Sequence, residues 1–217
     1  MNNDLTKLIE AAKTNPSIFK REYTFTEEQA LQIDKLIIQI LEDKFETTKS
    51  KGDALESLVD YIFSSHNIYK VRRNLKTSTN EIDVFLELEF FGDQVNQTIE
   101  KSLLENEVLV ECKNYNSKAD VTWIGKFASL LRVSNTKVGL FISKRGITGR
   151  SKWQDGKGLI KKIALRDNNL ILDFELADFM NLKGKTLFEC LRTKVQSLEL
   201  DIDIESLIET HDLESKL

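Results

Sequence analysis

The 217-residue sequence predicts an α/β domain in which helices flank a mixed central sheet. Segments with the 3.6-residue apolar period of amphipathic helices occur before, between and after segments with strand-like patterns. Consecutive strand-like segments between residues 68 and 112 favour an antiparallel meander. A strand, a helix and a second strand between residues 108 and 142 favour a parallel crossover. A sheet that contains both connections is a mixed sheet.

Helices are predicted on both sides of the strand-rich region. A first helix spans residues 24–45, where Thr26 and Gln29 resemble a capping box in front of an apolar stripe. A second helix begins near Gly52 and spans residues 53–65. Further helices are predicted at residues 120–133, at 159–165 and in the C-terminal stretch, which Lys183 and Gly184 interrupt.

Strands are predicted at residues 68–75, 81–90, 108–115, 137–143 and 169–174. The segment EIDVFLELEF, residues 81–90, alternates cleanly between apolar and polar residues and therefore has one polar face, which includes Asp83. A polar connection from Gly92 to Asn106 leads into the next strand, VLVECKNY.

The composition is that of a globular protein, with 41% apolar and 30% charged residues. No apolar run approaches the roughly 18 residues that cross a bilayer, and the N-terminus has no apolar block of a signal peptide. We therefore expect no membrane partner. Cys112 and Cys190 are far apart in the sequence and do not form a disulfide framework, which favours a reducing cytoplasm.

Charge is distributed unevenly along the chain. The net charge is −4, but residues 113–166 contain 13 Lys or Arg and only two acids, Asp120 and Asp155. This segment therefore carries +11 and the remainder −15. One region can meet a polyanion although the average charge is negative.

The segment VLVECKNY places two opposite charges inside a strand of buried character. Glu111 and Lys113 point to the same face, about 6.6 Å apart along the backbone at roughly 3.3 Å per residue. If this strand pairs with the one that carries Asp83, two carboxylates and one ammonium converge, which is a ligand set suited to Mg²⁺ and a phosphate. A solvated ion pair on an edge strand is the alternative, and Glu81 is the alternative to Asp83 as a ligand.

Asp83 followed by Glu111-Cys112-Lys113 resembles the D…(D/E)-x-K motif of the PD-(D/E)xK nuclease superfamily, with Ile82 where the nominal motif has proline. The segment KGDALESLVDYIF, which contains Glu56, resembles the first core helix of Mrr-like (type IV) restriction endonucleases. The segments TKVGLFISKRGIT and NNLILDFELADFMNL resemble their later strands and the closing helix. The resemblance covers residues 51–182. It implies a restriction-endonuclease-like core between an N-terminal helical extension, residues 1–50, and a C-terminal acidic helical tail, residues 183–217.

The resemblance implies a metal-dependent DNA endonuclease of a restriction or anti-phage defence kind. Asp83 and Glu111 would bind Mg²⁺, for which Mn²⁺ can substitute. Lys113 would position the attacking water or stabilise charge, and Glu56 would join through a metal-bound water. Because one site per chain cuts one strand at a time, we expect a homodimer or a subunit of a larger defence complex.

A basic segment follows the 137–143 strand, and phosphate contact is the functional interpretation of its charges, with solvated surface as the alternative. The candidate nucleic-acid-binding residues are Lys144, Arg145, Arg150, Lys152, Arg72 and Arg73. Trp123 and Trp153 either stack on bases or pack in the core. Two other functions remain open: a nucleic-acid-binding or assembly module that keeps the fold without cleaving, and a junction resolvase or RNA-cutting relative.

Overall fold

The computed structural model describes residues 14–15, 19–76, 81–100, 103–149, 155–167 and 169–201. Within these ranges five strands form one sheet in sequence order: β1 (Tyr69–Lys76), β2 (Glu81–Leu88), β3 (Glu107–Lys113), β4 (Val138–Ser143) and β5 (Leu170–Glu175). The pairs β1–β2 and β2–β3 are antiparallel, and the pairs β3–β4 and β4–β5 are parallel. The predicted α/β class and the meander followed by a crossover are confirmed.

The helices lie on both faces of this sheet. They are α1 (Glu27–Glu42), α2 (Thr48–Ser64), α3 (Phe90–Thr98), α4 (Val121–Ser134), α5 (Asp155–Asp167) and α6 (Leu187–Asp201), with short 3₁₀ turns at Arg21–Tyr23 and Leu176–Phe179. Helix α4 connects β3 to β4, and α5 connects β4 to β5. None of the described helices has both the length and the apolar character needed to cross a membrane.

The predicted capping box of α1 is confirmed, and the predicted start of α2 is wrong. Thr26 and Gln29 form the predicted reciprocal capping box at the start of α1. Helix α2 begins about five residues earlier than predicted, because Thr47 and Ser50 form a second capping box. Gly52 therefore lies inside the first turns of α2 rather than at its start.

Helix α3 was not predicted. The sequence favoured a strand to residue 90 and a polar connection from Gly92 onward, but β2 ends at Leu88 and a helix follows. Gly92 is required there because a Cβ at this position would lie 2.3 Å from the carbonyl oxygen of Ile68. The glycine that suggested a loop thus permits close packing of α3 on the start of β1.

Strand β3 lies at the centre of the sheet. It pairs with β2 on one side and with β4 on the other, and Val108, Leu109 and Val110 are buried on both of its faces. Helix α4 covers one face so closely that a Cβ at Gly139 would lie 2.7 Å from the Phe127 ring. The edge-strand alternative for Glu111 and Lys113 is therefore excluded.

The flanking regions contribute to the same hydrophobic core. Helix α1 buries Ile33, Ile37 and Ile40, and α6 buries Leu187 and Phe188. The segments before α1 and before α6 also contact each other directly, since the amide of Phe25 donates to the carbonyl of Lys185 at 2.9 Å. The boundaries at residues 50 and 182 stay a prediction. Residues 1–13 and 16–18 of the proposed extension and 202–217 of the tail lie outside the described residues.

Candidate active site

The site lies where β2 and β3 end their pairing. Their register joins Val84 to Val110, and its continuation places Asp83 opposite Glu111 on one face of the sheet. The next amide of β3 that points toward β2 belongs to Cys112. It donates to Oδ2 of Asp83 at 2.8 Å, so a backbone hydrogen bond holds the Asp83 carboxylate against β3.

Lys113 bridges the two carboxylates. Its Nζ forms a close ion pair with Oε1 of Glu111 and lies 3.7 Å from Oδ2 of Asp83. The exposed fractions of the Lys113, Glu111 and Asp83 side chains are 12%, 14% and 22%. The structure thus brings together the three groups that the sequence singled out, in a mostly buried cluster of net charge −1.

The pKa values of Glu111 and Lys113 are both raised, so both groups hold their protons more strongly than usual. Burial raises the pKa of Glu111, and the neighbouring Asp83 charge raises it further. Burial by itself would lower the pKa of Lys113, but the Glu111 and Asp83 carboxylates outweigh burial and raise it. Both shifts have one origin: two carboxylates share a single ammonium in a poorly solvated place, so the cluster favours an added proton or cation.

Glu56 approaches from α2 and is buried. Its Oε2 lies 3.3 Å from a guanidinium nitrogen of Arg73 and accepts a 3.0 Å hydrogen bond from Nδ2 of Asn74. Burial raises the pKa of Glu56, Arg73 opposes this shift, and the charge of Asp83 adds to it. Glu56 therefore lies within electrostatic reach of Asp83, while its direct partners are on β1.

Asn74 is a site neighbour that the sequence reasoning missed. It occupies the position of β1 opposite Asp83, between the pairs Arg73–Val84 and Leu75–Ile82. Its φ of 53° is left-handed, a conformation in which asparagine is enriched. An asparagine within an otherwise strand-like run was the one available signal.

Trp123 covers the lysine of the site. It lies in the first turn of α4, where Asp120 caps the helix by accepting from the Trp123 amide. The Trp123 ring centroid lies 4.6 Å from Nζ of Lys113 and 4.8 Å from Nζ of Lys126. Trp123 is half-buried and packs on these cations, with the ring of Tyr115 5.7 Å away.

The β1 arginines of the predicted nucleic-acid surface are engaged in ion pairs. Arg72 is exposed and pairs with Glu87 at 2.7 Å. Arg73 contacts Glu56 and also donates to Oγ of Ser57 at 3.1 Å. Arg73 is therefore part of the surroundings of the carboxylate cluster.

The basic residues that follow β4 differ in their exposure to solvent. Arg145 is exposed, as phosphate contact requires, but the Lys144 side chain is fully buried and faces Asp43. The Lys144 side chain is thus closed to a surface contact in the free protein, and contact of Lys144 with nucleic acid stays a prediction. Arg150 and Lys152 lie outside the described residues, as does Trp153. Contact of Arg145 with nucleic acid stays a prediction.

The carboxylates of Asp83 and Glu111 are the candidate ligands for a divalent cation. Among the residues that the structure describes, no three His, Cys, Asp or Glu side chains form a metal-binding group. Glu81, the alternative ligand, is exposed at the first position of β2. Asp83 and Glu111 already hold a positive group, the Lys113 ammonium, between them. Mg²⁺ is commonly bound by one or two carboxylates with waters and substrate phosphate, so these two residues fit such an ion.

The fold and the cluster define the class of protein, a nuclease with a restriction-endonuclease-like core. The restriction endonuclease family model of the Mrr catalytic domain matches residues 47–174, from α2 into β5, and this segment contains Glu56, Asp83, Glu111 and Lys113. The match covers more than half of the sequence, and the chain belongs to this family. Comparisons with curated proteins and with solved structures give no match.

Proposed function

We propose that the protein is a Mg²⁺-dependent DNA endonuclease that hydrolyses phosphodiester bonds in restriction or anti-phage defence, with Mn²⁺ able to replace Mg²⁺. The observation that carries this proposal is the convergence of Asp83, Glu111 and Lys113 at the end of the β2–β3 ladder. This cluster lies within the segment that matches the restriction endonuclease family. Family membership supports nuclease chemistry, and the donor set supports a hard divalent cation.

Each side chain of the cluster has a distinct proposed role. Asp83 and Glu111 would hold the cation, which when bound supplies positive charge next to the reacting phosphate. Lys113 donates hydrogen bonds to the attacking water or to the oxygens on which negative charge develops. Glu56 adds a carboxylate that reaches the site through water. Low exposure strengthens these interactions, since water screens them weakly.

Three further properties belong to the same proposal. The substrate is DNA, as the restriction endonuclease family suggests. The working form is a homodimer or a subunit of a larger defence complex, because cutting two strands with one carboxylate cluster per chain requires a second site. A cytoplasmic location agrees with Cys112 and Cys190 being free thiols.

Plasmid nicking tests this proposal. Purified protein is incubated with supercoiled DNA and Mg²⁺, with EDTA as the metal-free control. The variants Asp83→Asn and Lys113→Met are each expected to lose roughly 100-fold or more in rate, the scale at which removal of a group that stabilises a transition state acts. Glu87→Gln is the matched control, because it removes an exposed carboxylate from the same face of β2.

The outcome decides between the proposal and its alternatives. Undiminished cutting by both site variants would remove the proposed site. A panel of duplex, branched and single-stranded DNA and of RNA follows. Preferential cutting of branched DNA or RNA would indicate a resolvase or an RNA-cutting enzyme. Salt-sensitive binding with no metal-dependent cleavage of any substrate would indicate a non-cleaving module.

A further inference from the structure

A second charged cluster lies next to the proposed active site, where β3 and β4 end. It consists of Asp43, Lys51, Asn116 and Lys144, and we call it the Asp43 cluster. Asp43 is the C-cap of α1, Lys51 lies in the first turns of α2, and the other two residues follow β3 and β4.

Three donors converge on the carboxylate of Asp43. Nζ of Lys51 lies 2.6 Å from Oδ1, and Nδ2 of Asn116 donates to Oδ2 at 2.6 Å. Nζ of Lys144 lies 3.6 Å from the same Oδ2. The hydrogen bonds from Lys51 and then Asn116 lower the pKa of Asp43 to about 2, so this carboxylate is ionised at neutral pH.

The cluster has more positive charge than its one carboxylate neutralises. Two ammonium groups face a single carboxylate, which leaves a net charge of +1. The Lys144 side chain is fully buried, and its Nζ has no hydrogen-bond partner. A buried ammonium without an acceptor is costly, and burial lowers the pKa of Lys144. Lys144 therefore has Asp43 as an ion-pair partner but no hydrogen-bond acceptor, which an additional or better-placed anion would supply.

The Asp43 cluster is joined directly to the motif strand. The amide of Lys144 donates to the carbonyl of Lys113 at 3.0 Å. Asn114 directly follows Lys113, and its Nδ2 donates to the carbonyl of Lys51 at 2.6 Å. The two clusters therefore adjoin at the ends of β3 and β4, and successive phosphates of a DNA strand are spaced at about 3.4 Å of helix axis per nucleotide.

We propose that Lys51, Lys144 and Asn116 form a binding subsite for a DNA backbone phosphate beside the scissile one, and that Asp43 occupies this subsite in the free protein. The inference rests on the proposed function. A carboxylate and a phosphodiester each carry one negative charge and offer oxygen acceptors to the same donors. The Asp43 and Lys51 side chains are 24% and 19% exposed, so the subsite opens to solvent on the side of Asp43. Displacement of Asp43 by phosphate uncovers Lys144.

The variant Asp43→Asn tests the inference. Asp43 has a left-handed φ of 56°, which asparagine also adopts, so the variant keeps the backbone and removes the competing charge. Its affinity for duplex DNA, measured in EDTA so that no cleavage occurs, is expected to rise roughly fivefold, the scale of one exposed ion pair.

The matched control is Glu27→Gln, which removes the same charge from an exposed ion pair with Lys183 at the opposite end of α1. The two positions are about 24 Å apart at 1.5 Å per residue. If Asp43→Asn binds DNA no more tightly than Glu27→Gln does, the inference is overturned. In that case the ion pairs of Asp43 only stabilise the fold, and their removal does not increase the affinity for DNA.

A second variant keeps the inference testable if Asp43→Asn does not fold. Lys51→Met is expected to bind DNA more weakly, with a salt dependence of log K shallower by about 0.9, the value for one lost phosphate contact. When Asp43→Asn is combined with Lys51→Met, the increase in DNA affinity caused by Asp43→Asn is expected to be smaller. An unchanged salt slope for Lys51→Met refutes the subsite.

Failure of the subsite and failure of the nuclease proposal give different results. A protein that cuts DNA while Asp43→Asn binds no more tightly than Glu27→Gln refutes the subsite alone. A protein whose Asp43→Asn variant binds DNA more tightly, but which cleaves no substrate with any divalent metal, supports the subsite and contradicts the nuclease proposal.

Discussion

The two charged clusters at the ends of β2, β3 and β4 have inverse compositions. In one, Asp83 and Glu111 surround a single ammonium, that of Lys113. In the other, Lys51 and Lys144 surround a single carboxylate. The pKa of Glu111 is raised in the first, and the pKa of Asp43 is lowered to about 2 in the second. Burial and then the Asp83 charge raise the pKa of Glu111, whereas hydrogen bonds from Lys51 and then Asn116 lower the pKa of Asp43.

This difference separates two tasks that phosphodiester cleavage combines. A cluster with excess negative charge accepts a cation, whereas a cluster with excess positive charge accepts a phosphate. The clusters adjoin at the end of β3, where Lys113 belongs to one and the following residue, Asn114, supports the other by donating to the carbonyl of Lys51. A substrate that lies across both would have its metal and its phosphate contacts set by adjoining parts of one strand end.

The largest expected effect separates the two lysines. Lys113→Met is expected to slow single-turnover cleavage roughly 100-fold or more while DNA affinity in EDTA changes little, because Lys113 acts on the reacting group. Lys144→Met is expected to lower DNA affinity more than it lowers the cleavage rate. Fluorescence anisotropy and quenched-flow cleavage measure the two quantities, with thermal unfolding as the control for folding. Equal profiles for both variants would remove the distinction between the clusters.

A second expectation concerns the pH dependence of metal binding in the acid-rich cluster. Burial and the Asp83 charge raise the pKa of Glu111, and a proton on Glu111 competes with the cation. Affinity for Mn²⁺ is therefore expected to rise about tenfold per pH unit below the Glu111 pKa and to level off above it. Titration calorimetry between pH 5 and about 8 measures this trend. Affinity that is already level across the acidic half of this range would contradict the raised pKa.

The aromatic cover of Lys113 is expected to have a smaller effect. The Trp123 ring lies 4.6 Å from Nζ of Lys113, and cation–π contacts are worth about 0.5–2 kcal/mol. Trp123→Leu is expected to lower kcat roughly fivefold and to move the alkaline limit of the pH–rate profile, whereas Trp123→Phe retains most of the rate. An unchanged pH–rate profile for Trp123→Leu would show that Trp123 only packs in the core and does not influence Lys113.

The smallest effect is expected at the outer edge of the acid-rich cluster. Asn74 has a left-handed backbone and donates to Glu56. Asn74→Ala and Asn74→Gly both lose this hydrogen bond, but alanine also meets the steric cost of the left-handed conformation, about 1 kcal/mol. Chemical denaturation is expected to find the alanine variant less stable than the glycine variant by that amount. The reverse order would place Asn74 in an ordinary strand conformation.

The sequence predicted the cluster of Asp83, Glu111 and Lys113 but did not predict the Asp43 cluster. Asp83, Glu111 and Lys113 were found because residues of one strand alternate faces whatever the partner strand is. The neighbouring apolar residues further indicated a central strand, and the meander and crossover followed from segment order. Nothing comparable marked the Asp43 cluster. Lys144 was predicted to contact phosphate because it belongs to a glycine-containing basic run that follows a strand end, but its burial against Asp43 at the end of α1 was not predicted.

The sequence by itself therefore determined the order of the strands, the central position of β3 and the faces on which Asp83, Glu111 and Lys113 lie. Local periodicity fixes these features. Only the tertiary structure decided that Asp43 meets Lys144 across about 100 residues of chain, that Asn74 turns left-handed beside Glu56, and that Gly92 lies in a helix instead of a loop. Such contacts depend on which surfaces pack together, and pairing of charges far apart in sequence leaves no periodic trace.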